Sequence, residues 1–154
     1  MAGLFFDTSA LAKLYHAETG SSIVEGLVLR SPGVIFISRL AVVEARSVFA
    51  GKARSGAITA SVTTVLRRRF LEDIANQVFR VIALTSDHYE EAGELIERHG
   101  TSLGLRTLDA LQLAVALSLH RGGVTESLVA SDKVLCRAAG AEDIPVIDPE
   151  SPIF

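Results

Sequence analysis

The sequence predicts an α/β protein with a central, mainly parallel sheet of about four to five strands. Three features carry that expectation. Short apolar runs of strand length, Gly3 to Phe6, Val34 to Ile37, Phe79 to Leu84 and Ser127 to Ala130, alternate with longer stretches of helical periodicity. Two of these runs close on an aspartate, Asp7 and Asp132, followed by the start of a helix. The chain has 154 residues, 49% of them hydrophobic, and a positive mean hydropathy, which suits one domain over 1–154 with one continuous core.

The opening run Gly3-Leu4-Phe5-Phe6 reads as a strand that delivers Asp7 to the sheet's C-terminal edge, where ligand crevices of parallel sheets form. Thr8 or Ser9 is the expected cap of a short helix from Ala10 to His16. A second helix starts at Gly20-Ser21-Ser22 and turns Ile23, Leu27, Val24 and Val28 inward. Ser31-Pro32-Gly33 is a turn. It leads into the β-branched run Val34-Ile35-Phe36-Ile37, a buried parallel strand.

Ser38 caps a helix from Arg39 to Arg54, in which Glu44 shares a row with Leu40 and Val48. A carboxylate on that inward row needs a positive partner, and a metal ion would serve. The next helix runs from Thr59 to Asn76 with Val62, Val65, Leu66 and Ile74 inward. Its Arg67-Arg68-Arg69 run fans out by about 100° per residue, which favours solvated helix surface over one flat patch and leaves room for one or two phosphate contacts.

Thr85 or Ser86 caps a helix reaching His99, and Gly100 and Gly104 bracket a loop. Thr107 caps the helix from Leu108 to His120, with Leu111, Ala114, Val115 and Ser118 at helical spacing and Asp109 in the first turn. Asp132 caps a helix from Lys133 to Ala139, and Ile144 to Ile147 forms a last strand that Pro145 places at a sheet edge.

Composition narrows the chemistry. The longest apolar helix is interrupted by Asp109, Gln112 and Ser118, so no segment reaches the ~18 residues of a membrane span. The start Met-Ala-Gly carries no basic or hydrophobic signal segment, and the cytoplasm is expected. Cys136 is the single cysteine, read as a small buried hydrophobe, and His16, His88, His99 and His120 lack the spacing of metal ligands. The net charge of −3 argues mildly against coating nucleic acid, although one or two bound divalent cations would bring it near neutrality.

Each acid alone has a structural explanation. Their placement argues for more, since Asp7 and Asp132 end two strands while Glu44 and Asp109 lie early in helices that begin at the same sheet edge. Four converging carboxylates repel one another unless a cation stands between them. Oxygen ligands without Cys or His suit Mg²⁺ or Mn²⁺, ions that support attack of an activated water on a phosphodiester.

The segments Asp7-Thr8-Ser9-Ala10-Leu11, Ser38 to Arg46 around Glu44, Arg106 to Ala114 around Asp109, and Val129-Ala130-Ser131-Asp132-Lys133 together resemble the PIN-domain ribonucleases, most of all the VapC toxins of toxin–antitoxin pairs. The resemblance spans essentially the whole chain. It implies a three-layer α/β/α fold and a Mg²⁺- or Mn²⁺-dependent endoribonuclease acting on RNA. It also implies a homodimer inhibited by a cognate antitoxin. Residue by residue, Asp7 and Asp109 match the principal metal ligands, Glu44 the third acid and Asp132 the fourth, with Ser9 orienting Asp7 and Thr8 beside it. Ala130 stands where many family members carry Thr or Ser, so Ser131 is the expected support of Asp132. Lys13, Arg39 and Arg106 are the candidate RNA contacts.

Two phosphoryl-transfer readings fail on motif. A haloacid-dehalogenase-like phosphatase carries a second Asp where this chain has Ser9, and a response-regulator receiver needs an acid after the third strand, where Ala83-Leu84-Thr85 stands. The remaining alternatives are a non-catalytic PIN-like binding module and an RNA-processing PIN nuclease without an antitoxin.

Overall fold

Strand-forming and helix-forming segments alternate along the chain, and in the computed structural model, which describes residues 1–151, they give twelve elements. These are β1 (Gly3–Phe6), α1 (Thr8–Ala12), α2 (Ser21–Arg30), β2 (Ile35–Ser38), α3 (Arg39–Arg54) and α4 (Ala60–Ala75). There follow β3 (Arg80–Ile82), α5 (Ser86–Leu103), α6 (Thr107–Arg121), β4 (Thr125–Val129), α7 (Lys133–Ala141) and β5 (Val146–Ile147). Among the described residues no helix is long and apolar enough to cross a membrane.

The strands form one sheet in the order β3-β2-β1-β4-β5, and every neighbouring pair is parallel. β1 is central, in register with β2 at Phe5↔Phe36 and with β4 at Phe6↔Val129. All five C-terminal ends therefore lie on one edge. Close approach of β1 to the β2 lead-in depends on Gly3, since a Cβ there would sit 2.1 Å from the Val34 carbonyl oxygen.

Strand alternation divides the core between the two faces. Phe5, Phe36 and Leu128 face a layer of α5, α6 and α7, through Leu95, Leu113, Leu117 and Leu135. Leu4, Phe6, Ile35, Ile37 and Val129 face the opposite layer, which packs Val24, Ala41, Ala45, Phe49, Leu66 and Phe70. Helices cover both faces of the sheet, giving the three-layer α/β/α arrangement.

Several local expectations shift. The cap of α1 is Asp7 itself, whose Oδ1 accepts the Ala10 N–H at 2.9 Å, in place of Thr8 or Ser9; the regular helix ends at Ala12. In α2 it is Val24 that is fully buried, with Ile23, Leu27 and Val28 only half-buried. In α4 Val62 and Val65 are exposed, and the inward row is Leu66, Phe70 and half-buried Ile74. The aromatic rings set that rotation: Phe70 packs edge-on against Tyr15 and Phe49, and it also meets Phe79.

Helix α5 runs through the expected glycine loop, with Gly100 inside it and Gly104 as its left-handed C-cap at φ 77°. In α6 the cap position falls to Arg106, without a side-chain capping bond, and Thr107 is already helical; Ser118 is exposed. β3 is trimmed to Arg80–Ile82, which leaves Phe79 in the core, and β5 to Val146–Ile147 just after edge-placed Pro145.

Candidate active site

A parallel strand that ends in Asp presents the carboxylate above the sheet edge, and β1 does this with Asp7. Its backbone N–H still joins the ladder, donating to the Val129 carbonyl at 3.1 Å. Asp7 is 4% exposed. Ser9 Oγ lies 2.7 and 2.8 Å from the two Asp7 oxygens, sharing its one proton between them, and accepts the Ser131 N–H at 2.9 Å. Helix α3 follows β2 through the Ser38 cap, which accepts the Ala41 N–H at 3.1 Å, and this sets Glu44 over the same edge. Asp109 arrives from the first turn of α6, and Asp132 from the start of α7, where its Oδ1 caps Leu135 N–H at 2.9 Å.

The structure brings these four acids around one pocket of about 200 Å³, lined also by Thr8, Ser9, Val48 and Gln112. Asp7 is fully enclosed, Glu44 and Asp109 are half-buried, and Asp132 stands exposed at the rim. Burial pushes the Asp7 carboxyl up to about 7; the Ala10 N–H and Ser9 hydroxyl oppose this, and the charge of Asp109 adds to it. Asp109 is pushed up to about 6, first by burial and then by the charges of Asp132 and Glu44, with Arg106 pulling the other way.

Gln112 is the site residue that the sequence reading missed. Its Nε2 donates to Glu44 Oε1 at 2.9 Å and lies 3.1 Å from Thr8 Oγ1, while its Oε1 accepts from the Ser38 hydroxyl at 2.8 Å. Thr8 Oγ1 also donates to Glu44 Oε1, at 2.9 Å. The available signal was a single amide within the wholly buried run Ala110 to Leu117, three residues after Asp109 and so on its face.

The supporting residues divide. Thr8 and Ser9 contact Glu44 and Asp7 as described. Ser131 does not support Asp132: its backbone N–H holds Ser9, while its buried hydroxyl oxygen has no hydrogen-bond partner among the described residues. Of the basic candidates, Arg39 and Arg106 are exposed. Lys13 corrects the expectation of a surface RNA contact, since it is 4% exposed and its ammonium bridges Glu18 at 3.2 Å and Glu150 at 3.1 Å. The two carboxylates compensate the charge of this largely buried side chain. Cys136 is half-buried, its thiol donating to the Ala130 carbonyl and pushed up to about 12 mainly by burial, which leaves it protonated and inert.

Among the described residues no three His, Cys, Asp or Glu side chains are grouped closely enough to hold an ion as they stand. The donor set nevertheless fits a hard divalent cation. It is entirely oxygen, and two of its carboxyls are held toward their neutral forms by burial and mutual repulsion, which a cation between them would reverse.

A parallel α/β/α sandwich whose acids line a pocket at the C-terminal sheet edge defines an α/β protein with a carboxylate-lined site, a class that hosts many chemistries, and comparison with known proteins narrows it. The PIN-domain family model matches residues 4–141, and the chain belongs to the PIN-domain family. Ribonuclease VapC45 of Mycobacterium tuberculosis is 34% identical over 121 residues, 79% of each chain. Among solved structures, M. tuberculosis VapC20, titled a Sarcin-Ricin loop cleaving toxin, superposes with a TM-score of 0.65 at 23% identity, covering 88% of this chain and 94% of the other. A toxin–antitoxin complex from Klebsiella pneumoniae gives 0.62 at 22% identity over 97% of this chain and 99% of that one.

Proposed function

We propose that this chain is a divalent-metal-dependent endoribonuclease, the toxin of a toxin–antitoxin pair. The observation that carries the reading is the convergence of Asp7, Glu44, Asp109 and Asp132, from four separate elements, on one pocket in a chain of the PIN-domain family. The relatives named as VapC ribonucleases support RNA as the substrate, and the toxin–antitoxin complex among the structural neighbours supports a protein inhibitor as partner. A homodimer and a cytoplasmic location belong to the same proposal.

In this reading Asp7, Glu44 and Asp109 would hold Mg²⁺ or Mn²⁺, with Asp132 at the rim. When bound, the ion supplies an activated water for attack on the phosphodiester and stabilises the departing oxygen. The chain's own part is orientation. Ser9 and the Ala10 N–H fix both oxygens of Asp7. Thr8 and Gln112 fix Glu44 through Oε1 and leave Oε2 without a partner among the described residues. Arg106 supplies positive charge beside Asp109 and lines the adjoining cleft with it.

The test is cleavage of a long single-stranded RNA in the presence of Mg²⁺ or Mn²⁺. Asp7→Asn and Asp109→Asn are each expected to lower the rate by at least about a hundredfold while circular dichroism stays unchanged. Undiminished cleavage by either folded variant overturns the assignment. A small neighbouring reading frame whose product copurifies and inhibits cleavage separates a toxin from an RNA-processing nuclease.

A further inference from the structure

Beside the acid pocket lies a second cleft, of about 540 Å³, lined by Glu44, Ile96, Leu105, Arg106, Thr107, Leu108 and Asp109. The two share Glu44 and Asp109 as a common wall. Its volume falls within the ~300–1,000 Å³ of small-molecule sites. The rest of its lining differs from the acid pocket in kind. Leu105 is buried, Ile96 is half-buried, and Leu108 stands 50% exposed although it is a large apolar side chain in the first turn of α6. Arg106 is exposed at the mouth and forms no salt bridge with any described residue.

An apolar wall and an unpaired guanidinium set against two carboxylates match the parts of one nucleotide. We infer that this cleft is a nucleobase subsite, receiving the base next to the scissile phosphate of a single-stranded RNA, with the flanking phosphate on Arg106. The inference rests on the nuclease reading and adds where the substrate lies and what selects it. A base reaches this wall only when splayed out of a stack, so a single strand or loop fits and a regular duplex does not. The Leu105, Leu108 and Ile96 surfaces pack against the base, Thr107 in the same lining offers its edge a hydroxyl, and Arg106 gives the phosphate a planar, two-pronged donor. Orientation follows from the lining: the apolar residues take the base and Arg106 the flanking phosphate, which leaves the scissile phosphate toward the shared wall of Glu44 and Asp109.

The experiment measures binding apart from turnover. The Asp7→Asn chain, which is expected to keep the pocket shape and not to cleave, is titrated with a fluorescein-labelled hexaribonucleotide. Leu108→Asp and Arg106→Glu are added to it singly, with Leu29→Asp, at a residue 85% exposed on α2, as the control. Both cleft variants are expected to bind at least roughly tenfold more weakly, about 1.4 kcal/mol, and the control to bind unchanged. Affinity unchanged by both cleft variants, or RNA affinity lost equally in the control, overturns the subsite. In parallel, cleavage sites of the otherwise unmodified chain and of Leu108→Trp are mapped on a random-sequence single strand. A base preference next to the cut that Leu108→Trp shifts supports the subsite, and a preference identical in both overturns it. Absence of any cleavage by the unmodified chain refutes the nuclease reading instead, with the binding arm still deciding the cleft.

Discussion

Gln112 of α6 and Glu44 of α3 belong to helices on opposite faces of the sheet, and the 2.9 Å bond from Gln112 Nε2 to Glu44 Oε1 closes the gap over its edge. The same amide takes the Ser38 hydroxyl on its other side. One side chain thus ties β2, α3 and α6 together directly beneath the acids.

Replacing that amide by a hydrocarbon of similar size, Gln112→Leu, leaves the Ser38 hydroxyl without its acceptor and Glu44 without one donor. The expected cost is about 1–3 kcal/mol. Urea unfolding followed by circular dichroism checks it, and a midpoint equal to that of the unmodified chain would show that water replaces the network without loss.

Ser9→Ala removes the hydroxyl that meets both Asp7 oxygens and accepts the Ser131 N–H. Two buried partners lose a bond at once. A destabilisation of about 1–3 kcal/mol is expected, with weaker Mn²⁺ affinity in calorimetric titration because only the Ala10 N–H then still orients Asp7.

Asp7 rises from the ordinary 3.8 to about 7 in the folded chain, and Asp109 to about 6. The folded state then binds protons more tightly than the unfolded one. Their contribution to stability is fully present below pH about 4 and is lost as pH climbs through 6 and 7. In chelator, Asp7→Asn is expected to gain stability over the unmodified chain at pH 8 and little at pH 5. Saturating Mg²⁺ should reverse the order at pH 8, since only the intact site gains binding energy. Denaturant midpoints at the two pH values read both effects, and a pH-independent difference would contradict the raised Asp7.

Phe70 is fully buried, its ring 5.3 Å from Tyr15 and 6.4 Å from Phe49. Phe70→Ala is expected to cost about 3–5 kcal/mol. Thermal melting checks this. Leu71→Ala on the exposed side of the same helix should cost well under half as much.

Short apolar runs closing on Asp7 and Asp132 announced the sheet edge, and the row Leu40-Glu44-Val48 announced the inward acid of α3, because strand and helix periods are local properties. The rotation of α4 was not local: Val62 and Val65 look as apolar as Leu66, and only the cluster of Tyr15, Phe49, Phe70 and Phe79 decides which face turns in. Lys13 and Gln112 escaped for a related reason. A polar residue's burial depends on partners far along the chain, Glu150 for one and Ser38 and Glu44 for the other. Asp7 as a cap in place of Thr8 or Ser9 was a matter of one residue at a helix boundary, where sequence signals are weakest.

The Ser131-to-Ser9 bond spans 122 positions, and the pocket acids come from residues 7, 44, 109 and 132 on strands and helices that meet only in the finished sheet. A chain emerging from the ribosome carries β1 and Asp7 first but has no central position for them until β4 arrives to pair with β1. The pocket is therefore complete only once β4 and Asp132 have joined the sheet that β1 and β2 begin.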